Sequence, residues 1–373
     1  MKHSTRGLRQ RAVFRKVFAL FLGVCISLTI VAISAANLVG RERLTQITGF
    51  VEEIPLDAPC APVSFKYGRA AEQWSCNTFT TIDPRVGPKP RPHTATNHKK
   101  FYDNKVVFDV RYATDEFGRR KTTSPANETA DRFVAFFGCS QVFGFGLEER
   151  QTLPDQFAQY FPNTAVYNYG VPGYGPHNML AKLQTGDLRR EIKQRRGVLI
   201  FEFIDSHIER AVGAPNCFQN WSHPYYRLGK NLRPVRFKNF LIGRPLTTMT
   251  FRVLVESGLL TPFGAELDFI PRKKHYQLVQ ALFEESMRKF AAQFEVDGFY
   301  VLIYPDFNSR VTRKMTSQLE RSPVPVLNYL DLFDGESDRL QIPHDGHPNG
   351  LANKLIARRL ARELGKVNLQ TDK

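Results

Sequence analysis

Apolar residues are distributed along this chain in two distinct ways. From Val17 to Val39 they run for about 23 residues without a charge, enough to cross roughly 30 Å of hydrocarbon as a helix. From Asp131 onward they recur as short blocks. Phe133 to Phe137, Ala165 to Tyr169, Val198 to Ile204, Tyr300 to Tyr304 and Val324 to Leu327 read as buried strands with helical segments between them. Leu278, Leu282, Phe283, Met287, Phe290 and Phe294 repeat at helical spacing, as do Leu351, Leu355, Ile356, Leu360 and Leu364. Thr152 is a good helix N-cap, with Asp155 in the first turn. This alternation predicts an α/β domain: a parallel sheet with helices on both faces.

The same pattern divides the chain. Residues 1–16 form a basic tail, 17–39 a transmembrane helix, 40–130 a linker with a small β appendage, and 131–370 the main domain. Arg85 to Lys100, rich in Pro, Lys, Arg and His and without apolar periodicity, reads as an exposed loop. Val106 to Tyr112 alternates, and Asp115 to Gly118 supplies a turn, which predicts a hairpin. About residues 211–274, many Pro, Arg and aromatic residues break the rhythm, as an insertion forming a lid or substrate wall would. Lys2, Arg6, Arg9, Arg11, Arg15 and Lys16 precede the span with no acidic residue. The positive-inside rule then keeps this end in the cytoplasm and puts everything after Gly40 outside. A cleaved signal peptide is the alternative, given Ser34, Ala35 and Ala36.

Composition changes little in this picture. The 373 residues are 42% hydrophobic and 24% charged, as in an ordinary globular chain. The net charge of +16 is scattered, and no zinc-finger, RRM or helix-turn-helix pattern accompanies it, so nucleic acid is not the expected partner. An anionic lipid or envelope polymer remains a candidate. Cys60 and Cys76 bracket a short loop and could close a disulfide, with Cys217 as an alternative partner for either. Cys139 reads as a reduced core thiol. No metal-ligand spacing and no cofactor-binding signature is present.

In parallel sheets ligands bind beyond the carboxyl ends of the strands. The residues placed there are Ser140, Asn168 to Gly175, Asp205 with His207, and His344, Asp345 and His347. A serine, a histidine and a carboxylate at one rim can make a nucleophile, a general base and the group that orients the base.

Gly138-Cys139-Ser140 with Gly144, then Asn168-Tyr169-Gly170-Val171-Pro172-Gly173, then Asp345-Gly346-His347-Pro348-Asn349 resemble, in order and spacing, the signature blocks of the SGNH (GDSL-like) hydrolases. The resemblance spans about Asp131 to Leu364. It implies a flavodoxin-like three-layer sandwich with a five-stranded parallel sheet, Ser140 as nucleophile, His347 as base and Asp345 as its orienting carboxylate. It also implies oxyanion donors from the Ser140 amide and Gly173. Three departures stand out. Cys139 replaces the family's usual Asp, one residue rather than two separates Asp345 from His347, and the third block, Glu202-Phe203-Ile204-Asp205-Ser206-His207, lacks the donor asparagine. An ionised Asp205 cannot donate a proton, so either His207 is the substitute at the oxyanion or the hole has only two donors, with His344 a spare base.

The expected function is a membrane-anchored, extracytoplasmic serine esterase that hydrolyses or transfers an acyl group, such as acetyl, on a glycan or lipid. In a Gram-negative cell the domain would be periplasmic. The alternative is a catalytically inert SGNH-fold binding or assembly factor of the cell envelope.

Overall fold

The computed structural model describes residues 62–365, except 68, 77–78, 125–128, 216, 218–220, 257–268, 306–308, 334 and 336. The expected span from Val17 to Val39 and residue Cys60 lie outside the described residues. Among the described residues no helix is long and apolar enough to cross a membrane.

The central sheet has five strands: β7 (Arg132–Gly138), β8 (Thr164–Gly170), β9 (Arg196–Phe203), β12 (Glu295–Ile303) and β13 (Val326–Asn328). All pairings are parallel, in the order β13-β12-β9-β7-β8. Counted along the chain within this sheet, that is the 2-1-3-4-5 order of flavodoxin-like folds, whose direction reverses between the first and third strands. The reversal here lies between β7 and β9. Their carboxyl ends therefore flank the crevice where this topology places ligands.

Both faces of the sheet are apolar, which is why the strands read as continuous hydrophobic runs. On one face Phe133, Ala135, Leu199, Phe201, Phe203 and Val301 pack with Leu278, Leu282, Phe283 and Phe290 of the long helix Lys273–Ala291. On the other, Val134, Phe136, Val198 and Ile200 pack with Leu153 and Phe157 of Leu153–Ala158 and with Ile356 and Leu360 of Gly350–Leu364. Thr152 caps the helix Leu153–Ala158, its side chain accepting the Asp155 amide. The Asp155 carboxylate instead accepts from the Thr123 amide at 2.8 Å.

Ahead of this domain, β1 (Val63–Tyr67), β2 (Ala70–Trp74), β5 (Ala95–Tyr102) and β6 (Lys105–Ala113) form an antiparallel sheet, while β3 (Thr80–Asp83) and β4 (Gly87–Pro90) pair separately. Two expectations are corrected. The stretch from Arg85 to Lys100 is not an exposed loop: it contains β4 and most of β5, with Arg91, Thr96, His98 and Lys100 buried. The hairpin partner of β6 precedes it, since β5 pairs with β6 across a turn at Asp103 and Asn104. The Asp115–Gly118 turn closes only a bridge between Thr114 and Arg120.

Phe108, Val110 and Tyr112 of β6 share a core with Phe143, Leu147 and Ile342, which belong to the serine turn and the loop before Asp345. The described residues accordingly form one compact unit. Within the insertion, β10 (Pro224–Leu228) and β11 (Pro234–Asn239) form a hairpin, followed by the helices Phe240–Gly243 and Pro245–Glu256. Cys76 is disulfide-bonded, whereas Cys139 and Cys217 are free, which removes Cys217 as its partner.

Candidate active site

Strand β7 ends at Gly138, and Ser140 opens a single helical turn, α1 (Ser140–Phe143). The sequence enforces this sharp exit. A Cβ on Gly138 would sit 2.5 Å from the Val142 side chain and 2.9 Å from Glu202 Oε2, and one on Gly170 would sit 2.3 Å from the Phe143 nitrogen. Gly144 then takes a left-handed conformation (φ 79°) that lets the chain leave the turn. Arg120, almost fully buried, fixes it from outside by donating to the carbonyls of Phe143 (2.8 Å), Gly144 (2.6 Å) and Leu147 (2.5 Å).

The loop before the last helix, Gly350–Leu364, delivers the other two groups. Asn349 caps that helix by accepting from the Leu351 and Ala352 amides, and its own amide group donates to the carbonyls of Arg339 and Gln341. Gly346 turns the loop with φ 85°. The result is a continuous chain of contacts. Ser140 Oγ lies 2.8 Å from His347 Nε2, and His347 Nδ1 lies 2.5 Å from Asp345 Oδ1. A carboxylate only accepts, so Nδ1 carries the proton and Nε2 is left to accept from the serine hydroxyl. The His347 amide also donates to Asp345 Oδ1 at 3.2 Å, and the Phe145 ring packs against the imidazole at 4.9 Å.

The Asp345 side chain is 1% exposed and that of His347 26%. Burial by itself would raise the Asp345 carboxyl. The hydrogen bond and charge of His347, followed by those of Lys100, outweigh burial and hold it at about 2. Lys100 donates to Asp345 Oδ2 at 2.5 Å. Sequence reasoning missed both Lys100 and Arg120. Each reaches the site from the appendage, and no local spacing marks either.

Gly173 stands in the loop after β8 with φ 83°. That loop is tied to the serine turn: Gly138 pairs with Gly170, and the Val171 amide donates to the Gly138 carbonyl at 3.3 Å. Asp205 precedes the helix Ser206–Val212, half-buried and without a side-chain cap bond.

His207 is a correction. It is fully buried, its ring set edge-on to Phe201 and Phe203, with Nδ1 accepting the Ile204 amide and Nε2 buried without a hydrogen-bond partner. It makes no hydrogen bond to Ser140 or His347. The residue of the same helix that does reach the strand-end loops is Arg210, which donates to the Tyr174 carbonyl at 3.1 Å and whose charge acts on Cys139 and Glu202. His344 is no spare base: exposed, with φ 59°, it stacks on Tyr102 at 4.1 Å.

A small crevice borders the loop that carries Gly173, lined among others by Phe117, Phe137, Gly170, Val171 and Tyr174. None of Ser140, Asp345 and His347 lines it, and its cations Lys89, Arg119 and Lys182 are paired with Asp83, Asp115 and Glu191. Among the described residues no cluster of His, Cys, Asp and Glu could hold a metal ion.

No family model and no curated protein matches the sequence. Among solved structures, the chain is similar to a member of the lipolytic G-D-S-L family from Veillonella parvula at 13% identity, covering 63% of this chain and 99% of that one, with a TM-score of 0.35. It is similar to a psychrotrophic esterase from Pseudoalteromonas at 14% identity, covering 63% and 97%, with a TM-score of 0.35. An acetyl xylan esterase from Butyrivibrio proteoclasticus matches at 10% identity over 64% of each chain, with a TM-score of 0.34. The functional reading rests on the strand order and the site geometry instead.

Proposed function

We propose that the protein is a serine esterase of SGNH type that forms an acyl-enzyme on Ser140. The observation that carries this reading is the unbroken contact chain Ser140–His347–Asp345, assembled from residues 207 positions apart, with Ser140 directly after β7, the strand beside which the sheet order reverses. In the first step His347 Nε2 takes the Ser140 proton as Oγ bonds to the ester carbonyl carbon. In this reading the Ser140 and Gly173 amides are the groups that would donate to the oxyanion. Collapse breaks the bond to the alcohol, which leaves with the proton from His347. In the second step a hydroxyl gives its proton to His347 as it bonds to the acyl carbon; the bond to Ser140 Oγ then breaks, and Oγ takes the proton back from His347. Water as acceptor makes the protein a hydrolase, and a sugar hydroxyl makes it a transferase.

The reading extends to an acylated glycan or lipid as substrate, to anchoring through Val17 to Val39 with the N-terminus cytoplasmic, and to an extracytoplasmic domain. The charge asymmetry around that apolar stretch supports the topology. An inert binding factor is the second reading, favoured by the absent third-block asparagine and the burial of His207.

A fluorophosphonate probe separates the two, because only an activated serine reacts. Labelling of the wild type and not of Ser140→Ala, together with aryl-ester turnover that Ser140→Ala abolishes, is the expected result. No labelling of a folded wild type would leave the inert reading standing. A reporter active only outside the cytoplasm, fused after Lys373, tests the topology.

A further inference from the structure

We infer that Lys100 is a positioning residue of this site: from the appendage, its ammonium holds the outer oxygen of Asp345 and so keeps His347 oriented toward Ser140. The inference rests on the esterase reading and deepens it.

The geometry is specific. The two oxygens of Asp345 serve different neighbours, since Oδ1 accepts from the His347 ring and amide while Oδ2 accepts from Lys100 Nζ at 2.5 Å. The Lys100 and Asp345 side chains are 11% and 1% exposed, so the contact is shielded from solvent screening. Lys100 is held in turn by its own sheet. Its cross-strand neighbour on β2 is Glu72, whose Oε1 lies 3.9 Å from Nζ. Glu72 Oε2 contacts His98 Nε2 at 3.2 Å, and His98 Nδ1 contacts the Tyr112 hydroxyl of β6 at 3.2 Å. That hydroxyl accepts the Gly146 amide, just past the serine turn, at 2.8 Å. The charged and titratable groups around Lys100 are therefore Glu72, His98, Tyr112, Asp345 and His347, in two runs of contacts that lead from Lys100, one to Ser140 and one to Gly146. The β5 register shifts immediately after Lys100, between it and Phe101.

The consequence follows from charge. A buried carboxylate facing an imidazole favours the protonated ring, which cannot accept the serine proton. A cation on the far oxygen offsets that pull and also repels an imidazolium. Removing the cation should raise the pH at which His347 loses its proton and leave the carboxylate free to rotate.

The test uses the full chain with isotope-labelled histidine, following the His347 imidazole by NMR through a pH titration. Comparing wild type with His347→Gln identifies its signal. Lys100→Met, which keeps the length of the stem, should move the His347 imidazole signals upward in pH relative to wild type. It should also shift the acidic limb of kcat/KM in the same direction and lower kcat about tenfold, with KM little changed. Lys100→Arg should restore most of the limb. Lys99→Met is the control: Lys99 pairs with Asp109 and should leave the profile unchanged. If Lys100→Met lowers Tm while the His347 titration superimposes on that of wild type, Lys100 is only structural and the inference is overturned. The imidazole titration is read whether or not the protein turns over esters, so an inert protein and a passive Lys100 give different results.

Discussion

The Ile204 amide donates to His207 Nδ1 at 3.2 Å, so the histidine of the third block closes the end of its own strand rather than facing the serine. With Nδ1 accepting, the proton sits on Nε2, which has no hydrogen-bond partner within the core. Burial, with the positive charge of Arg210 adding to it, drives its proton affinity down and keeps the ring neutral. His207→Ala should therefore cost on the order of 2 kcal/mol of stability by opening a cavity and freeing the Ile204 amide. Ester turnover per folded molecule should change little. Thermal unfolding and active-site titration together check this; a loss of kcat in the folded fraction would return His207 to the oxyanion.

The sequence could locate His207 near a strand end but not the direction of its ring, because the first turn of the helix Ser206–Val212 points the side chain back onto Phe201 and Phe203. Strands β7, β8 and β9 were legible because both of their faces are buried. Strand β5 was not, and the reason is physical. It obeys the twofold period of a strand, but its inward positions are Thr96, His98 and Lys100, so a search for alternating apolar residues passes over it. The serine, histidine and aspartate could be found through short blocks. Lys100 could not, standing 245 positions from its carboxylate.

Asp345 should dominate acid sensitivity at the site. Its folded value of about 2 lies below the ordinary 3.8, so its interactions add stability above that ordinary value and lose it as pH falls through about 2. The difference corresponds to about 2 kcal/mol. Asp345→Asn should be less stable than wild type by this order at neutral pH, and the gap should close between roughly pH 4 and pH 2. Equilibrium unfolding across that range checks it; a gap independent of pH would mean that packing, not charge, is what the substitution removes. Ester turnover of Asp345→Asn should fall by about 10⁴.

Cys139, next to Ser140, is the competing nucleophile to exclude. It is fully buried, and burial, reinforced by Glu202, pushes its thiol above the ordinary range. Burial likewise pushes Cys217 to about 11. A thiol that is neither ionised nor reachable does not attack an ester. Iodoacetamide at neutral pH should not label Cys139 in the folded protein and should leave turnover intact, as mass spectrometry and an aryl-ester assay would show. Labelling of Cys139 that tracks with lost activity would transfer the nucleophile role to it.

Glu202 is buried beneath the serine turn, its Oε2 close under Gly138, and neither of its oxygens receives a hydrogen bond of full geometry. Burial pushes its carboxyl up to about 8; the charge of Arg210 and the direction of the Val142 amide only partly oppose this. At neutral pH the folded protein therefore holds a proton there that the unfolded chain, near its ordinary 4.5, has released. The native state binds more protons, so stability is full below about pH 4.5 and falls as pH rises toward about 8, by up to ~1.4 kcal/mol per pH unit. Glu202→Gln keeps the shape and abolishes the titration. Its stability relative to wild type should rise steadily between about pH 5 and pH 8, while kcat at neutral pH stays within a few-fold because the substituted group is already neutral there. Denaturant unfolding at several pH values measures this directly. Parallel curves for the two proteins would show that Glu202 is ionised throughout, and Arg210 would then have to be its full counter-charge.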